Sequence, residues 1–82
     1  MKRKQLKEWK STLTAQQYKT LRIIWRISMF KGWTRYRHMF SVCNSPRKRV
    51  SEMLELGVPI RSRNVKIRNE EGRLVTIKEM TV

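Results

Sequence analysis

Acidic side chains are scarce in this chain. Six Asp plus Glu face twenty Lys plus Arg over 82 residues, a formal net charge of +14. The few acids are not paired as general acid–base catalysis or a divalent cation would require. Cysteine occurs once, at Cys43, which excludes an internal disulfide and a zinc set. A lone thiol beside a turn reads as a small buried residue. Histidine also occurs once, and His38 has no carboxylate or thiol partner at helical spacing. No glycine-rich phosphate loop is present. These absences predict a protein that is not an enzyme and carries neither metal nor cofactor. No long apolar run exists either, so neither a membrane span nor a signal peptide is expected, and the expected location is the cytoplasm.

What remains is a small, strongly basic chain with enough apolar content to fold. Apolar residues make up 39% and three are Trp, which argues against wholesale disorder. The length allows one domain with a small core. The charge implies a polyanionic partner. It is unevenly spread. Residues 1 to 49 carry fourteen basic side chains against one acid, and residues 50 to 82 carry six against five. A binding surface is therefore expected from the first half and from the residues just before Val50.

The elements follow from caps and periodicity. Residues 1–11 read as a basic N-terminal tail, with Lys2, Arg3 and Lys4 able to lie on phosphates and Trp9 docking onto the domain. Residues 12–82 form the domain. Thr14 and Gln17 make a capping box, with Leu13 and Tyr18 as its staple, opening a helix that runs to about Phe30. Tyr18, Leu21, Ile24, Trp25 and Ser28 mark its inward stripe, whereas Ile23, Ile27 and Phe30 fit that stripe poorly. Gly32 ends it. Thr34 is expected to cap a second helix over Thr34 to Val42. Ser45 as N-cap and Pro46 at N1 open a third, which Gly57 closes. Val50, Met53, Leu54, Leu21, Ile24 and Trp25 are the expected central core. Two alternating segments around Asn69-Glu70-Glu71-Gly72 form a β-hairpin, with a bulge or kink expected near Asn64. The expected class is α+β, with three helices followed by a two-stranded hairpin.

This order, together with Gln17 opening one helix, Thr34 opening the next, Arg49-Val50-Ser51-Glu52-Met53 in the third, and then Gly57, Ile60, Val65 and the Gly72 turn, resembles the winged helix-turn-helix DNA-binding domains of phages and mobile elements. The resemblance spans about Leu13 to Met80. It implies duplex DNA binding by a small transcriptional or phage regulator, nucleoid-associated or, if phage-encoded, in the host cytoplasm. It also implies that the start of the third helix enters the major groove. There Asn44, Ser45, Arg47, Lys48 and Ser51 would be exposed to base edges and phosphates. Three consecutive basic residues just inside a helix start oppose the helix dipole, and a phosphate would compensate them. Arg35 and Arg37 would meet backbone phosphate. Arg68 and Arg73 flank the hairpin tip, but Glu70 and Glu71 occupy it and repel phosphate. A homodimer is left open. Two other readings stand beside this one. Trp9 and Trp33 would suit an RNA-binding module that stacks unpaired bases. A winged-helix surface can also serve as an adaptor that binds a host enzyme.

Overall fold

The computed structural model describes residues 1–40 and 44–82. Three α-helices and a three-stranded antiparallel sheet make a small α+β fold. The order is α1 (Arg3–Trp9), α2 (Ala15–Lys31), β1 (Thr34–Arg35), a 3-10 turn (Tyr36–His38), α3 (Pro46–Glu55), β2 (Arg61–Arg68) and β3 (Leu74–Thr81). The sheet order is β1-β3-β2.

The basic tail is a docked helix. Leu6 of α1 is buried, and Trp25 Nε1 donates to the Met1 carbonyl at 2.9 Å. A buried indole N–H needs such an acceptor, so Trp25 ties the start of the chain to α2. The connection into α2 is tight, with the Leu13 N–H donating to the Trp9 carbonyl. The capping box then forms as expected. The Gln17 N–H donates to Thr14 Oγ1 at 3.2 Å, and the Thr14 N–H donates to Gln17 Oε1 at 3.0 Å.

The inward face of α2 is turned from the expected stripe. Gln17, Thr20, Leu21 and Ile24 are buried, while Tyr18, Trp25 and Ser28 are half-buried. Two polar residues sit inside because each has a local acceptor or donor. Thr20 Oγ1 donates to the Gln16 carbonyl, and Gln17 Nε2 reaches Glu52 Oε1 on α3 at 3.3 Å. The poor fit of Ile23 and Ile27 disappears with this rotation, since both are half-buried at the edges of the face. Phe30 stays outside, at 82% exposed.

The expected second helix does not form in the described part of Thr34 to Val42. Thr34 and Arg35 are instead a strand paired with Met80 and Glu79. Thr34 is fully buried, and its hydroxyl donates to the Ile24 carbonyl at 3.3 Å rather than capping a helix. A β-branched residue suits this extended site. The Arg35 N–H donates to His38 Nδ1, which closes the following 3-10 turn. The hairpin is therefore one part of a three-stranded sheet. The expected positions of Val42 and Cys43 lie outside the described residues.

Helix α3 ends as expected, in a Schellman arrangement: the Gly57 N–H donates to the Leu54 carbonyl and the Val58 N–H to the Met53 carbonyl, with Gly57 at φ +91. It begins differently. Ser45 is left-handed, at φ 52 and ψ 63, and its side chain makes no cap bond. Its carbonyl instead takes the N–H groups of Lys48 and Arg49. No bulge occurs near Asn64. The β2–β3 register runs unbroken from Arg61↔Thr81 to Arg68↔Leu74. The alternation looked broken because the first half of β2 is polar on both faces, and the partner strand supplies the buried Met80 opposite Ser62.

The core joins Leu6, Leu13, Leu21, Ile24, Met39, Val50, Met53, Val58, Ile60 and Met80. Leu54, expected in it, is 49% exposed. One residue turns a helix by about 100°, so placing Met53 at the centre moves Leu54 to the flank. Met53→Ala should therefore destabilise the domain by ~2–5 kcal/mol, and Leu54→Ala by under ~1 kcal/mol. Urea denaturation of the two variants checks this order.

Candidate nucleic-acid interface

The structure opens a cleft of about 560 Å³ between the start of α3, the 3-10 turn and the hairpin. Arg35, Tyr36 and Arg37 come from one wall, Arg47 and Ser51 from α3. Asn64 and Ile67 of β2 with Thr76, Ile77 and Lys78 of β3 complete it. Four cations thus border the cleft, and no carboxylate is among its described lining residues.

Each wall is fixed by its own local chemistry. Pro46, Val50 and Met53 face the core, which turns Arg47, Lys48 and Ser51 outward on α3. Arg47 does not swing freely. Its guanidinium lies 5.1 Å from the Tyr36 ring centroid, a cation–π contact that contributes ~0.5–1 kcal/mol. Partial burial raises the Tyr36 hydroxyl above its ordinary pKa, with the Arg47 charge acting weakly in the other direction. The phenol therefore stays protonated and available as a donor. Lys78 stands directly across from Asn64 in the ladder, so the two present a cation and an amide side by side.

Glu79 holds this arrangement together from behind. Its carboxylate accepts from Arg35 Nε at 3.0 Å through one oxygen and from Arg63 Nε at 3.0 Å through the other. The first partner lies on β1, the second on β2, and Glu79 itself on β3. Arg63 also stacks over Trp33 at 4.0 Å. Glu79 is 7% exposed. The Arg35 hydrogen bond foremost, and then Arg63, hold the carboxyl below its ordinary value, although burial pushes it up. On α3, Arg49 Nε lies 3.0 Å from Glu52 Oε1 but without hydrogen-bond geometry, a charge contact that keeps Arg49 out of the cleft.

Of the residues expected from the sequence, the cleft brings together Arg35, Arg37, Arg47 and Ser51. Asn44, Ser45 and Lys48 are exposed at the start of α3, outside the cleft walls. Arg35 is committed to Glu79 and is no free phosphate ligand. Lys2, Arg3 and Lys4 sit on or beside α1, away from the cleft. Arg68 donates to the Gly72 carbonyl at 3.0 Å within the hairpin tip, and Arg73 is exposed there. Tyr36, Asn64, Thr76 and Lys78 were missed. The signal for Lys78 was present, because a tight turn at Asn69–Gly72 sets the register that pairs it with Asn64. No signal marked Tyr36, whose place depends on β1.

His38 is half-buried among cations. Partial burial first, then the charges of Arg37, Lys31 and Arg35, lower its pKa from the ordinary 6.5. No group of three or more His, Cys, Asp or Glu capable of holding a metal occurs among the described residues. No helix among them is long and apolar enough to cross a membrane. Comparison of the chain with protein-family models, curated proteins and solved structures finds no significant match.

Glu79 carries a pH prediction. Its folded pKa lies below the ordinary 4.5, so its stabilisation is complete above that value and is lost as the pH falls through the lowered one. Acidification should therefore weaken the native protein. Glu79→Gln should cost ~1–3 kcal/mol near neutrality and flatten the acid decline. Urea midpoints measured across the acid range give both quantities.

Proposed function

We propose that this protein binds duplex DNA through the basic cleft, as a small regulator of the winged helix-turn-helix kind, with α3 as the reading helix and the β2–β3 hairpin as its wing. The observation that carries the reading is that the first turn of α3 and the stem of the hairpin meet in one cleft bordered by cations, with no carboxylate among its described lining residues. A helix start offers N–H groups and a positive dipole end to phosphate, and a single helix fits the major groove. The strand β1 ahead of α3 and the sheet order β1-β3-β2 suit a wing that is anchored to the body rather than hanging from it.

The reading assigns roles. Arg47 and Lys48 contact base edges or phosphate from the first turn of α3, and Asn44 and Ser51 flank them. Arg37 and Lys78 hold backbone phosphate on either side, which positions the helix without reading sequence. The hairpin contributes through its stem, because Glu70 and Glu71 at its tip repel phosphate. The left-handed Ser45 favours the same reading. A non-glycine residue in that conformation costs roughly 1 kcal/mol or more and persists where surrounding structure enforces it, commonly at functional sites. A cytoplasmic location and a role in transcription accompany this reading.

Two measurements test it. Arg47→Ala with Lys78→Ala should weaken duplex affinity by ~2–5 kcal/mol and reduce the slope of log affinity against log salt by ~1–2, with the fold retained. Unchanged duplex binding by that folded variant would overturn the proposal. His38 gives an internal report. Its pKa is lowered partly by neighbouring cations, so neutralising them with bound phosphate should raise it. Titration of the imidazole proton resonances with and without duplex reads this shift, and a pKa unmoved by a saturating duplex would place the ligand elsewhere.

A further inference from the structure

The outward face of α2 is a second basic surface that the cleft leaves unused. Lys19, Arg22 and Arg26 stand at three- and four-residue intervals and, with Ile23, line a shallow depression of about 180 Å³. All three cations are exposed. The helix contains no acidic residue over its seventeen positions, and none of the three has an ion pair among the described residues. Arg22 approaches only the Tyr18 ring, at 6.0 Å.

This ridge lies outside the cleft. At about 100° per residue, Lys19, Arg22 and Arg26 lie on the side of α2 opposite Gln17, Leu21 and Ile24, which face α3 and the core. Arg47 and Ser51 lie about 90° and 130° around α3 from the middle of the buried Val50–Met53 face. None of the ridge residues lines the cleft, so the two surfaces are separate. At a rise of about 1.5 Å per residue, the three cations span ~10 Å, the axial length of about three phosphates on one DNA strand.

We infer that this ridge holds the phosphate backbone of a second duplex, so that one molecule bridges two DNA segments. The inference rests on the reading of the cleft as the first DNA site. The protein is suited to the geometry. The ridge and the cleft share no residue, and at ~0.1 M salt charges more than about 10 Å apart are largely screened, which limits repulsion between two bound duplexes. Contacts to backbone alone make the second site indifferent to sequence. Exposed Met29 and Phe30 lie beside the ridge near the end of α2 but form no continuous apolar face of the kind a helix lying on a bilayer presents, so a lipid surface is the competing outcome of the test.

A sandwich capture tests this. An immobilised duplex is loaded with the full chain, and recovery of a second, fluorescent duplex is measured at low salt, alongside binding to vesicles containing phosphatidylserine. Lys19→Gln, Arg22→Gln and Arg26→Gln together should keep first-duplex affinity within about threefold and cut recovery of the second by ~10-fold or more. These side chains are exposed, and thermal melting verifies the fold. If the triple variant captures the second duplex as well as the native chain does, the ridge is not the second site, and a dimer joined through other surfaces is responsible. If it loses vesicle binding while bridging persists, the ridge is a membrane contact and the inference fails. Failure of the cleft reading looks different. In that case the cleft variant binds a single duplex normally while the ridge variant does not, which leaves one DNA site on α2 and no bridge.

Discussion

One carboxylate decides the shape of the binding face. Glu79 lies on the central strand and is bound by an arginine from each neighbour, Arg35 of β1 and Arg63 of β2. In a chain of net charge +14, two arginines brought to adjacent strands would repel one another without it. With it, β1 closes on β3, and the chain after β1 is delivered to the edge of the hairpin. Tyr36 and Arg37 then stand across from Lys78. The cleft is a consequence of that three-strand clamp, because neither the helices nor the hairpin alone brings those walls together.

None of the other acids is among the described lining residues of the cleft. Glu52 meets Gln17 and Arg49 at the junction of α2 and α3, and Glu70 and Glu71 sit at the hairpin tip. The cations are left largely unneutralised and partly pre-positioned. Arg47 rests on the Tyr36 ring, and burial first, then the charges around it, lower the His38 pKa. Such a surface concentrates unneutralised positive charge with little freedom left in the Arg47 side chain.

Several elements were legible because their signals are local. The Thr14–Gln17 capping box, the Gly57 stop, Pro46 at the start of α3 and the turn at Asn69–Gly72 each concern residues within four positions of one another. The misreadings share a different cause. Thr34 is as good a helix cap as it is a strand residue, and the choice is made by Met80, some forty-six positions away, which it pairs with. Gln17 and Thr20 fell outside the expected inward stripe, and their burial depends on Glu52 and the Gln16 carbonyl as partners. Leu54 read as core because its spacing from Val50 is helical, yet Met53 occupies the centre. The basic tail hid a helix, since docking through Leu6 and the Met1–Trp25 bond depends on a surface formed only by the folded α2.

The sequence by itself determined the charge balance and the main helical and hairpin segments. Net charge is additive and needs no fold, and caps and turns act over a few residues, so both survive being read in one dimension. It also marked Arg37, Arg47 and Ser51 as candidate ligands. Only the tertiary structure decided which cations share a site. Long-range pairing of β1 with β3 took Arg35 out of the free set and brought Tyr36 to the hairpin stem of Asn64 and Lys78, and the burial of Gln17, Leu21 and Ile24 turned the Lys19–Arg22–Arg26 ridge outward. The physical reason is that a charge's role depends on its distance from other charges and on its exposure, and both are properties of the packed chain.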